Sequence, residues 1–106
     1  MNRVNLIGNI GTVIYDNGLD SSQACLVVSL ATSEKWIDKS NNEVVKTSWH
    51  KVTIFGKTAV SARAVMVKGR RVFVDGQLRY SEYEDKEGVK QQSVDIVCKS
   101  YLATNI

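Results

Sequence analysis

The sequence predicts an all-β domain, a small barrel of five strands with one helix between the third and the fourth. Three observations carry this expectation. Apolar residues alternate with polar ones, or run in short β-branched blocks, over most of the chain. Clusters of Gly, Asn, Asp and Ser interrupt those blocks at Asp16–Ser22, Asp38–Glu43 and Asp85–Gly88. One stretch departs from the pattern: Lys57–Val67, KTAVSARAVMV, holds three alanines and neither glycine nor proline.

The strands are placed at Arg3–Ile14, Gln23–Glu34, Val44–Phe55, Arg71–Tyr83 and Val89–Tyr101. The first contains Gly8 and Gly11, read as glycines where a strand bends to close a barrel. The second, around ACLVVSL, is the most continuously apolar and so the most buried. In the third, Trp49, Lys51, Thr53 and Phe55 point one way and His50, Val52 and Ile54 the other, because side chains alternate along a strand. The helix is expected over Lys57–Val67, closed by Lys68–Gly69 with glycine at the C-cap. DKSNNE and DKEG are polar hairpin tips. This element order is that of the OB-fold, a five-stranded Greek-key barrel whose sheet face and hairpin loops bind oligonucleotides or oligosaccharides.

A chain of 106 residues and 11.8 kDa is one domain, 1–106, and its 43% hydrophobic and 24% charged residues are those of a globular protein. The net charge of +3 permits polyanion binding without specifying it. No apolar run reaches the ~20 residues of a membrane helix, and the start, MNRVNLIGNIG, lacks a signal-peptide core, so no membrane contact and a cytoplasmic location are expected. Cys25 and Cys98 stand far apart with a single histidine, which is too few ligands for zinc; both are read as free thiols packed as small hydrophobes, and neither metal nor cofactor is expected. Gly56–Lys57–Thr58 matches the end of a phosphate-binding loop, but the position of its first glycine is Lys51, inside a strand. Gly8 and Gly11 likewise fail GxGxxG and precede more strand. Nothing near His50 orients it for nucleophilic catalysis. An enzyme is not expected.

Another chemistry does register. Val52 and Ile54 suffice to fill the barrel from the third strand, which leaves Trp49, Lys51 and Phe55 for a ligand. Aromatic rings that stack bases, with lysines and arginines along the phosphates, hold single-stranded nucleic acid without reading its sequence. Lys35–Trp36 repeats the pairing, so that Trp36 and Trp49 are both placed on the ligand face. Phe73, Gln77, Arg79, Ser81 and Tyr83 share a face of the fourth strand, and Lys68, Arg70 and Arg71 crowd one turn. Glu82, Glu84, Asp85 and Glu87 make the last hairpin acidic and repulsive to phosphate.

Asn2–Gly11 (NRVNLIGNIG), Leu30–Trp36 (LATSEKW), Trp49–Lys57 (WHKVTIFGK) and Gly76–Arg79 (GQLR) resemble, in order and near spacing, the characteristic segments of the bacterial single-stranded DNA-binding protein (SSB) family. The resemblance covers nearly the whole chain. It implies an OB-fold protomer in a homotetramer, with a dimer as the lesser assembly, that coats and wraps single-stranded DNA during replication, recombination or repair. By that resemblance Trp36, Trp49, Phe55 and, as a substituted aromatic, Tyr83 fall on base-stacking positions. Lys51, Lys57, Lys68 and Arg79 fall on phosphate-contacting positions, and Arg3, Lys35, Arg70 and Arg71 complete the candidate phosphate contacts. His50 follows Trp49 as does the family histidine whose replacement weakens tetramer assembly.

The sequence also departs from the family. Tyr83 replaces a common tryptophan, and Ser81–Glu82 stands where a basic pair is expected, so DNA contact there should be weaker. The segment from Tyr15 to Ala24 lacks an arginine often found there. The family's flexible linker and acidic tip do not follow the barrel in this sequence, so tail-mediated recruitment of replication and repair enzymes is not expected. The competing reading is a tailless primosome-type adaptor of the same fold, acting through protein contacts; retention of Trp36, Trp49 and Phe55 argues against it. DNA and RNA are not separated by these residues.

Overall fold

A computed structural model of the chain describes residues 1–104. The elements follow in the expected order: β1 (Val4–Asp16), β2 (Cys25–Ile37), β3 (Glu43–Phe55), α1 (Gly56–Ala62), β4 (Arg71–Glu84) and β5 (Lys90–Ala103). The strands close into a barrel in the order β1-β2-β3-β5-β4, which is the OB-fold. β1 makes the turn between sheet halves. Its residues 4–9 pair with β4, and residues 9–16 pair with β2. A register shift between Ile10 and Val13 bends it there. The N–H of Thr12, displaced from the ladder, donates instead to Ser29 Oγ at 2.9 Å.

The closing seam is short. β3 and β5 meet in parallel at Val52–Ile96 and Thr53–Val97. Away from that seam the β2–β3 and β4–β5 hairpins run on as two-stranded ribbons. The two hairpin tips are built alike. Asp38 and Asp85 each accept two backbone N–H bonds on Oδ1, from Ser40 and Asn42 and from Glu87 and Val89. A residue at positive φ, Asn41 or Gly88, completes each turn.

The core contains Leu26, Val28 and Leu30 of β2, Val52 and Ile54 of β3, Val72 and Val74 of β4, Ile96 and Cys98 of β5, and Ile10 of β1. Ala24 ahead of β2, Ala59 and Ala62 of α1 and Met66 beyond the helix complete the cluster, and Tyr101 donates to Ser61 Oγ at 2.7 Å to tie β5 to the helix. Cys25 and Cys98 are free thiols. Burial, aided by the charge of Asp75, pushes Cys98 up to about 11.

Three sequence expectations are corrected. The helix ends at Ala62, not Val67. The Ala62 carbonyl accepts from both Val65 and Met66, at 2.9 and 2.8 Å, while the Arg63 guanidinium turns back to Asp16 at 2.9 Å and Asp20 at 3.0 Å. The chain therefore tightens and drops Met66 into the core. Gly69 is accordingly not a C-cap. At φ 84° it leads into β4, its N–H bonded to the Ile10 carbonyl at 2.8 Å. The strands also overrun their expected ends by one to three residues at several points, because each hairpin ribbon keeps its ladder beyond the barrel.

Candidate nucleic-acid interface

Alternation along β3 divides its faces as expected. Val52 and Ile54 are fully buried, while Trp49, Lys51 and Phe55 are exposed, Trp49 to 63%. Across the ladder Trp49 faces Ala31, Lys51 faces Ser29 and Phe55 faces Cys25. Those small partners leave the large rings standing above the β2–β3 surface. Thr53 is the exception on this outer face: it is buried, its hydroxyl donating to Asp95 at 2.6 Å.

The Trp49 ring leans across β2 onto β1. A Cβ built on Gly11 would run into that ring and stand 2.6 Å from Ser29 Oγ. Gly11 is thus a site of close approach as well as a residue of the bend. Beside the ring lies a groove of about 360 Å³ lined by Gly11, Thr12, Ser29, Trp49 and Lys68. Its walls are largely apolar and its rim carries a lysine, the pairing that suits a base and its phosphate. Gly11→Ala should displace the indole and press on the Ser29 hydroxyl that accepts the Thr12 N–H. We expect the tryptophan emission maximum to shift and any affinity for single strands to fall, with a modest loss of Tm. A large drop in Tm without spectral change would place the clash in the backbone instead.

Phe55 carries a second cation. The Arg79 guanidinium lies 5.5 Å from the ring centroid. It is held there by Asp95, which accepts from Nε at 3.0 Å and from a terminal nitrogen at 2.7 Å. Burial alone would raise the Asp95 carboxyl, but the bonds from Arg79 and Thr53 and the charges of Arg79 and Lys51 outweigh it and hold the carboxyl below its ordinary range. A depressed native value means the contribution is complete above the ordinary 3.8 and is lost as pH falls through the lower native value. Thermal unfolding from pH 7 down to about pH 2 should show this. Asp95→Asn should be less stable at neutral pH and flatter in acid than the parent; parallel curves would remove Asp95 from the acid transition.

The remaining candidates are scattered. Trp36 is exposed on the outer ribbon of β2, in register with Val44. It lies five positions, an odd step, beyond Ala31, the partner of Trp49. The expectation that both tryptophans share a face is therefore corrected: the pleat puts them on opposite sides of the ribbon. Tyr83 is exposed and follows Arg79 and Ser81 on one face of β4. Arg3 is paired with Asp75 at 3.0 Å and Lys35 loosely with Glu43 at 3.9 Å. Lys51, Lys57, Lys68, Arg70 and Arg71 are exposed and have no ion-pair partner among the described residues. The Arg70 carbonyl accepts from Ile10 N–H, which fixes this basic turn next to Gly11 and hence to the Trp49 groove. His50 is half-buried, its Nε2 at 2.8 Å from Thr32 Oγ1. It lines a second depression, of about 230 Å³, where β3 and β5 diverge.

Sequence reasoning missed Asp95 and an apolar row on the barrel's other side. Ile7 of β1, Phe73 of β4 and Leu102 of β5 lie in direct cross-strand register, with Ile7 and Leu102 exposed. A lone carboxylate within the apolar run VDIVC was the available signal for Asp95. The apolar row spans three strands, so no local pattern announces it.

Residues 1–103 match the model of the single-strand binding protein family. A single-stranded DNA-binding protein of Xanthomonas campestris pv. campestris is 38% identical over 97 residues, which are 92% of this chain and 56% of that protein. The chain spans little more than half the length of the curated relatives it matches. Among solved structures, the Plasmodium falciparum SSB in complex with ssDNA superposes with a TM-score of 0.80 at 27% identity, covering 99% of this chain and 96% of that one. A deletion mutant of the single-stranded DNA binding protein from Thermus aquaticus gives 0.78 at 27% identity over 99% of this chain and 51% of that chain. With nearly every described residue inside the match, the chain belongs to the single-strand binding protein family.

Proposed function

We propose that the chain binds single-stranded DNA without sequence preference, coating and wrapping strands exposed in replication, recombination or repair, and that it catalyses no reaction. The observation that carries this reading is the Trp49 ring, exposed on the β2–β3 face beside an apolar groove with Lys68 on its rim and Lys51 two residues away on the same face. Bases stack on such a ring whatever their identity, and the lysines meet phosphates. The relatives' names and the DNA-bound neighbour support the same ligand. Titration of tryptophan emission with oligo(dT) and with a duplex of equal length tests it. We expect strong quenching by the single strand, weakened steeply by salt, and little by the duplex. Absence of quenching at low salt would favour the protein-contact adaptor.

The proposed assembly is a homotetramer acting in the cytoplasm. The Ile7–Phe73–Leu102 row supports it, because a two-fold axis lets one apolar face cover its own copy. His50, half-buried at the barrel mouth, is the second proposed contact. Leu102→Glu should lower the mass measured by light scattering, and His50→Tyr should loosen the assembly at micromolar protein. A Leu102→Glu protein of unchanged mass would remove this face from the interface.

A further inference from the structure

We propose that Asp95 is a positioning residue of the DNA site, holding Arg79 over the Phe55 ring and withholding its positive charge from the phosphates. The proposal rests on the DNA-binding reading above and deepens it. Arg79 and Asp95 are direct cross-strand partners on the outer face of β4 and β5. The carboxylate takes two bonds from the guanidinium, at 3.0 and 2.7 Å, and a third from Thr53 at 2.6 Å. Two parallel bonds fix the plane as well as the position of a guanidinium. Thr53 belongs to β3, so the clamp also spans the short β3–β5 seam beside Phe55.

Burial is divided unequally within the pair. The Asp95 side chain is 3% exposed, whereas that of Arg79 is 42% exposed. The arginine is therefore a lid over its own counter-ion. Rotating it toward a phosphate would strand a carboxylate in a site with little water, a costly exchange. Arg79 instead stays over the Phe55 ring as half of a nearly neutral ion pair. That arrangement adds contact area for a base without adding salt dependence. Lys51, on the same face and lacking such a partner among the described residues, supplies charge that does follow salt.

The test compares the salt dependence of oligo(dT) binding for the parent, Asp95→Asn, and the neutral pair Asp95→Asn/Arg79→Gln. Each neutralised phosphate steepens the log–log slope by about 0.7 for single strands. Asp95→Asn should steepen it by about that amount, and the neutral pair should return it to the parent value. An Asp95→Asn slope equal to the parent's overturns the proposal. So does a neutral pair flatter than the parent by about 0.7, since Arg79 would then already be meeting a phosphate. Should Asp95→Asn fail to fold, the neutral pair alone decides by the same criterion. A second readout needs no DNA: the Arg79 Nε–H resonance should exchange slowly with water in the parent and rapidly in Asp95→Asn. If the parent binds no oligo(dT), the DNA-binding reading fails by itself, and rapid exchange in the parent separately overturns the clamp.

Discussion

Trp49→Ala is expected to weaken binding of oligo(dT) by about 1–3 kcal/mol, roughly 5- to 150-fold, with the fold intact. The ring is 63% exposed and rests on Gly11 and β2 from outside, so its removal opens no cavity in the barrel. Stability should fall by about 1 kcal/mol or less. The loss should be similar for any base composition, since stacking does not read base edges. If Trp49→Ala instead cost the roughly 3–5 kcal/mol of a deleted core aromatic, with affinity per folded molecule unchanged, the ring would belong to the core.

The opposite signature is expected from Leu30→Ala. Leu30 is fully buried, opposite His50 on the inner pleat of the β2–β3 ladder. A residue this enclosed costs about 2–5 kcal/mol when truncated to alanine, a large share of the ~5–15 kcal/mol that holds a domain together. The melting temperature should drop by roughly 10 °C or more. Oligo(dT) affinity, measured well below that temperature, should stay near the parent value, because the outer face carries no part of Leu30. An unchanged melting temperature would contradict the core assignment.

The contrast between these residues also shows what is legible in a sequence. Faces of β3 could be read because Val52 and Ile54 fill the barrel and leave Trp49, Lys51 and Phe55 for the other side. Both hairpin tips could be read because Asp and a residue tolerant of positive φ are local requirements. Thr53 was harder, since its burial is imposed by Asp95 from β5, more than forty residues onward. The side of Trp36 is not legible locally, because it follows from a register that alternates over the whole ribbon. The helix reads too long in the sequence because alanines at 59, 62 and 64 favour it, while Arg63 and Met66 are pulled elsewhere by Asp16 and by the core. Pairing across strands, such as Arg79 with Asp95, leaves no trace at a fixed spacing.

Ultraviolet cross-linking of halogenated oligo(dT) to the intact protein, followed by tryptic mapping, tests the central claim most directly. Cleavage after Lys46, Lys51 and Lys57 separates peptide 47–51, which holds Trp49, from peptide 52–57, which holds Phe55. Base stacking on the β2–β3 face requires cross-links in those two peptides, suppressed by unlabelled single strands and not by duplex. Cross-links confined to peptide 100–106, which holds Leu102, with none in 47–57, would put the DNA on the opposite side of the barrel and contradict the account.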